Sequence, residues 1–283
     1  MPAARRFLFV DRVLAHEPKR WMRAEHVIAP SYAAAGGPYR LLEALAQSAG
    51  WLIAASTGFE RRGLPISITS VNLPAPVPRS ATVLLESEML TWREDSALAR
   101  AWASVDGTLL AEITRGICAL IPADRLDDPA TMRSRFARLG KSGAARPPRT
   151  APADGWPDPV ALTDVERIES GQRAKARWHV DPGASFFPDH FPRFPVLPGA
   201  VQVQTLVGLA ATLFATPRRH PVLVEFTEAR FRGFVRPGED VAIEATVVSE
   251  AGSQAVATAE GFVDGKRVVG IGEIRFRLDP LPG

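Results

Sequence analysis

Two stretches of the chain are apolar on nearly every face of a helix: Pro38 to Thr57 (PYRLLEALAQSAGWLIAAST) and Pro198 to Ala215 (PGAVQVQTLVGLAATLFA). Each opens on a proline, which suits the first helical position because the missing N–H would lack a partner there anyway. A helix without a polar face is buried on most sides, as one wrapped by a curved sheet would be. Around these helices the period falls to two, as in Val241-Ala-Ile243-Glu-Ala245-Thr-Val247, which predicts half-buried strands. Asp106-Gly107 and Asp264-Gly265 are hairpin-turn pairs that join antiparallel neighbours. Strands gathered about a lone helix predict an α+β unit rather than alternating βαβ.

The unit occurs twice. Val10-Asp11-Arg12-Val13 answers Val165-Glu166-Arg167-Ile168, His26-Val27 answers His179-Val180, and Val105-Asp106-Gly107 answers Val263-Asp264-Gly265. Between the copies, residues 140–159 hold five prolines and three glycines without Leu, Ile, Val, Phe or Met, the composition of a linker. The expected domains are therefore 1–125 and 160–283, with 126–159 as linker; 283 residues suffice for two ordinary domains. Arg133, Arg135, Arg138 and Lys141 crowd the start of that linker, and a solvated segment is favoured over a docking patch.

Composition excludes several classes. With 46% hydrophobic and 23% charged residues, wholesale disorder is disfavoured. A net charge of +3 and a pI near 9.4 are too small and too scattered to argue for nucleic acid. No apolar run is long enough to span a bilayer, and the start reaches Asp11 too soon for a signal peptide, so a cytoplasmic protein without a membrane partner is expected. One cysteine, Cys118, excludes an internal disulfide and a multi-cysteine metal cage; it falls in an apolar strand, where burial quiets a thiol. Gly270-Ile-Gly272 lacks the third glycine of a dinucleotide loop, and Ser48 sits mid-helix, away from any nucleophile elbow. No metal or nucleotide motif is present. Among five histidines, His26 and His179 fall at strand positions and read as structural, and His16 and His220 lie in loop-like contexts. His190 remains.

His190 begins His-Phe-Pro-Arg-Phe-Pro-Val-Leu-Pro-Gly199, immediately before the second helix. This resembles the 3-hydroxyacyl-acyl-carrier-protein dehydratases of fatty-acid synthesis, whose loop reads H-F-P-G-x-P-V-M-P-G and whose helix then bears an acid and, one turn on, a glutamine. Arg193 replaces the glycine and Leu197 the methionine. The first half resembles the same family through Phe7 to Val13 and Glu43-Ala-Leu-Ala-Gln47. The resemblance implies a double hotdog: two tandem hotdog domains, each a long central helix wrapped by a curved antiparallel sheet, paired as a pseudo-dimer.

The halves have lost opposite parts of the family's site. The acid position after His190 is Gln204 and the following glutamine has become Gly208, while the first half keeps Glu43 and Gln47 but lacks the histidine. Its loop is about eight residues short, with 17 steps from His26 to Glu43 against 25 from His179 to Gln204. In the family each site takes histidine from one hotdog and acid from its partner, so one complete site is expected here, His190 opposite Glu43. A Glu and a Gln four apart on a helix also commonly just pair with each other; the loop match and the complementary loss favour catalysis.

The resemblance implies dehydration of 3-hydroxyacyl thioesters to trans-2-enoyl thioesters, in fatty-acid or polyketide-type synthesis. His190 would act as base, Glu43 as acid oriented by Gln47, and the Gly199 N–H as donor to the thioester carbonyl, with Phe191, Pro195, Leu197 and Pro198 lining the substrate pocket. Glutamate as the acid resembles the plain dehydratases rather than the isomerising branch. No cofactor or metal is implied. The implied partner is acyl carrier protein bearing a phosphopantetheine-linked substrate, with coenzyme A the carrier left open; the pseudo-dimer serves as a monomer or a building block of a larger assembly. Hotdog thioester hydrolysis, and a non-catalytic acyl binder or synthase assembly partner, are the alternatives.

Overall fold

A computed structural model describes residues 7–28, 37–141, 156 and 162–281. The first half runs β1 (Arg12–Glu17), β2 (Trp21–Ile28), α1 (Gly37–Ser56), β3 (Arg61–Asn72), β4 (Ala81–Trp92), β5 (Ser96–Val105) and β6 (Thr108–Pro122). After α2 (Pro129–Leu139), the second half repeats the series as β7 (Thr163–Ile168), β8 (Arg173–His179), α3 (Gly199–Thr212), β9 (Arg219–Phe231), β10 (Asp240–Ala251), β11 (Gln254–Val263) and β12 (Lys266–Pro280).

The strands form one twelve-stranded sheet in the order β1-β2-β4-β5-β6-β3-β9-β12-β11-β10-β8-β7. Each half contributes the same internal order, and the halves meet where β3 pairs antiparallel with β9, from Ser67 opposite Arg230 to Asn72 opposite Glu225. Both Asp-Gly turns take positive φ at both residues (49° and 79° at Asp106-Gly107, 48° and 72° at Asp264-Gly265), the hand that matches strand twist. The two long helices are buried, α1 against β3, β4 and β5, α3 against β10 and β11, and they also touch each other. The repeated α+β unit expected from the pattern, and the double hotdog implied by the resemblance, are thus the observed architecture.

Three local readings change. First, 126–139 is not linker. Asp128 caps α2 by accepting the Thr131 N–H at 2.8 Å, Pro129 occupies the first turn, and Met132 and Leu139 are buried. Its arginines are not simply solvated either, since Arg133 donates to the Gly58 carbonyl and Arg135 lies 3.9 Å from Asp189. Second, His26 and His179 are not equivalent. His26 is wholly buried, 3.3 Å from Asp11, whereas the His179 side chain is 60% exposed beside Asp240, so the true partner of His26 is offset by one residue. Third, His16 and His220 lie within β1 and β9 rather than in loops. Cys118 is in β6 with its thiol pushed up to about 12 by burial, and Ser48 is a buried hydrogen-bond partner of Ser87. Most of 140–159 falls outside the described residues.

Candidate active site

The loop leading into α3 is tied down by its backbone. His190 N–H donates to the Phe186 carbonyl, Val196 N–H to the His190 carbonyl and Leu197 N–H to the Val235 carbonyl, at 2.8–3.1 Å. Arg193, the clearer of the two departures from the family loop, docks on the first half: its N–H reaches the Leu126 carbonyl, Nη1 the Asp124 carbonyl, and Nη2 lies 3.6 Å from Asp128. A small apolar cluster of Leu64, Leu126, Phe191 and Val196 completes the contact between halves.

His190 and Glu43 line one cavity of about 350 Å³, together with Gln47, Phe191, Leu197 and Gly199. The cavity continues from these residues between α1 and the first-half sheet, along Ala46, Gly50, Ala99 and Gly116. Two expected wall residues are not in it. Pro195 is exposed, because the loop turns outward there, and Pro198 is buried behind the start of α3, where it is the residue preceding the helix.

Each polar group is poised by its neighbours. Burial pushes the Glu43 carboxyl up to about 7, opposed by the Gln47 hydrogen bond and the Arg62 charge. Gln47 is itself fixed at both ends: its Oε1 accepts the Phe9 N–H at 2.8 Å, while its Nε2 donates to the Phe7 carbonyl and to Glu43 Oε1 at 3.1 and 2.9 Å. Because Gln47 presents a donor, a neutral Glu43 keeps its acceptor oxygen there and has its hydroxyl free. Burial lowers His190 to about 4, so its ring is neutral near neutral pH. Its Nδ1 lies 3.0 Å from the Val196 carbonyl, an acceptor, so Nδ1 carries the proton and Nε2 keeps its lone pair. Gly199 opens α3, which has no side-chain cap, and its N–H has no acceptor within the helix. A Cβ on Gly199 would lie 3.2 Å from the Phe231 ring, so glycine permits the close packing there.

The opposite position is closed. Gln204 is buried and accepts the Trp156 Nε1 proton at 2.7 Å. Trp156 in turn stacks on Phe7 with ring centres 5.6 Å apart and meets the edge of Phe9. Sequence reasoning passed over Trp156; a single large aromatic inside a Pro/Gly-rich stretch was the available signal.

Comparison with known proteins places this arrangement among double-hotdog structures. The chain superposes over 93% of its length on a putative oleoyl thioesterase from Lactobacillus plantarum (TM-score 0.61, 16% identity, 97% of that chain). It also superposes over 96% of its length on the dehydratase domain from the CurJ module of curacin polyketide synthase (TM-score 0.55, 11% identity, 97% of that chain). At these identities the likeness defines the fold alone. Sequence separates the classes: residues 166–266 match the model of the ApeI-like dehydratases. A 3-hydroxyacyl-[acyl-carrier-protein] dehydratase FabZ from Caldicellulosiruptor bescii is 35% identical over 125 residues, 42% of this chain and 89% of the relative. The FabZ of Bacillus subtilis is 31% identical, covering 42% of this chain and 88% of that one. The chain belongs to the FabZ-type 3-hydroxyacyl-[acyl-carrier-protein] dehydratase family. Less than half of it spans either relative almost end to end, in keeping with two hotdogs in tandem.

Proposed function

We propose that this protein converts 3-hydroxyacyl thioesters to trans-2-enoyl thioesters at one composite site between its halves. The observation that carries this reading is that a neutral imidazole from the second half and a buried, readily protonated carboxyl group from the first line the same cavity. Elimination needs both, a base for the weakly acidic α-proton and an acid for the departing hydroxyl.

In the proposed reaction the lone pair on His190 Nε2 takes the α-proton, and the electrons of that C–H bond move toward the thioester carbonyl. The N–H of Gly199, at the positive end of α3, meets the negative charge on the oxygen. Those electrons return to form the α,β double bond as the β-carbon–oxygen bond breaks, and Glu43 gives its proton to the leaving hydroxyl, which departs as water. The proton held by His190 passes to the Glu43 carboxylate, restoring both groups. The acyl chain extends between α1 and the first-half sheet.

For the carrier we favour acyl carrier protein, as in the names of the relatives. Arg232 and Phe234 are exposed at the cavity wall, and Arg236 lies 4.5 Å over Phe194, which packs on Phe234. Exposed apolar surface rimmed by arginine suits an acidic partner.

The test offers the purified protein a 3-hydroxyacyl thioester on acyl carrier protein and on coenzyme A, following enoyl absorbance and free thiol separately. Enoyl product is expected, favoured on the carrier protein, with His190→Ala slower by about 10² to 10⁴. Thiol release instead would identify a hydrolase, and unchanged turnover in His190→Ala would remove the assigned base.

A further inference from the structure

Arg62 is in β3, far in sequence from the loop that carries His190, yet its side chain is only 18% exposed and the residue lines the same cavity as His190 and Glu43. Its guanidinium lies 4.4 Å over the ring of Phe191, the neighbour of His190, and its Nη1 donates to Asp127 Oδ2 at 3.0 Å. Asp127 is itself 3% exposed, and its other oxygen accepts the Asp128 N–H at 2.8 Å. Removing two charges from water is costly, and such pairs are often replaceable by apolar residues without loss of stability. A buried ion pair in an otherwise greasy wall therefore calls for a reason other than holding the fold.

The charges around it give that reason. The ionisable groups facing Arg62 are Asp127, Arg135 of α2, Glu43 of α1 and His190, with Asp189 next to Arg135. Asp127 is matched by Arg62, and Asp189 has Arg135 at 3.9 Å. With Glu43 protonated and His190 neutral, the cavity wall has no excess negative charge before the reaction. Proton abstraction then places a negative charge on the substrate, and fixed positive charge nearby stabilises it without reorganisation. The same charge acts on the two titrating groups: it disfavours the protonated imidazole, adding to the effect of burial on His190, and it favours the ionised carboxylate, opposing the effect of burial on Glu43. Imidazolium formed beside Arg62 is thereby pressed to release its proton, which helps to reset the base.

We propose that Arg62 is a positioning residue of the composite site: clamped by Asp127, it carries the Phe191 ring and with it the His190 loop, and it sets the charge against which the base and the acid of the two halves work. The chemical part of this role rests on the dehydratase reading; the hold on the loop does not.

Three variants separate the possibilities. Arg62→Met removes the cation but strands a buried carboxylate, Arg62→Met/Asp127→Asn removes both charges and protects folding, and Arg62→Lys keeps the charge while losing the flat stack on Phe191. His190 ring-proton resonances, assigned by their loss in His190→Gln, are titrated by NMR in each, and the pH–rate profile is recorded beside them. In the folded double variant the His190 titration is expected to move to higher pH and the basic limb set by Glu43 to move up with it. Its kcat should fall about tenfold or more while KM stays within about threefold. Arg62→Lys is expected to restore the pH profile but not the full kcat. Wild-type titration and wild-type kcat in the double variant would overturn the proposal. A wild-type protein inert toward hydroxyacyl thioesters would instead overturn the dehydratase reading, and the His190 titration would still decide whether the Arg62 charge acts on His190.

Discussion

His190 held to about 4 and Glu43 pushed up to about 7 leave a pH window in which the base is neutral and the acid is protonated. The rate kcat/KM is therefore expected to rise through about pH 4, stay level, and fall through about pH 7. The same shifts bear on stability with opposite signs. Glu43, raised from 4.5, contributes most below its unfolded value and loses that contribution as pH climbs through about 7. His190, lowered from 6.5, contributes above that value and loses it as pH drops through about 4. Glu43→Gln should thus cost activity by about 10² or more yet be more stable than wild type at pH 8, by up to about 3 kcal/mol, and so melt higher there. A scan showing a lower Tm at pH 8 would mean that Glu43 is not buried as a neutral acid. His190 and Glu43 were legible in the sequence because one sits in a ten-residue motif and the other at its complementary gap. Arg62 was not: its counter-ion is 65 residues away, and the pair Arg61-Arg62 at the start of a strand looks solvated.

At the scale of elements, the helices announced themselves through runs without a polar face, and the two Asp-Gly turns fixed their hairpins. Registers were harder. His26 and His179 align in the text of the sequence, but a shift of one residue reverses the face of a strand, and only the pairing with β4 and β10 decides it. The helix α2 was hidden by the arginines and by the prolines that follow. Small residues along α1 and the sheet determine the shape of the cavity. A Cβ on Gly50 would meet nothing within 4 Å, so a side chain there grows into the void. Gly50→Leu is expected to keep turnover of the shortest acyl substrates and lower kcat/KM for longer ones by about tenfold or more, with no loss of helix stability because glycine is the poorer helix former. A chain-length series checks this, and equal losses at every length would place the acyl chain elsewhere.

For the whole molecule, the repeat was readable from the order of elements and the Asp-Gly anchors, but the Val10 and Val165 anchors were out of step, since Arg12 opens β1 whereas Arg167 lies at the far end of β7. The opposite parts missing from the two halves were readable as well. What fills the lost site was not, because Trp156 comes from a segment whose composition reads as a tether. Trp156→Ala removes a stacked ring, 7% exposed, and leaves Gln204 without its donor, so a loss of about 3–5 kcal/mol is expected, with Trp156→Phe recovering part of it by retaining the stack. Denaturant unfolding of the three proteins measures it; equal midpoints would show that the ring does not support the core.

The β3–β9 seam has one more consequence. Enzymes whose pockets are shared by two separate chains disassemble on dilution, and their pockets vanish with them. Here both walls belong to a single polypeptide, so the local concentration of one half around the other stays high however few molecules a cell makes. Each copy carries both walls of the cavity, and the two walls are free to diverge because neither has to meet a duplicate of itself.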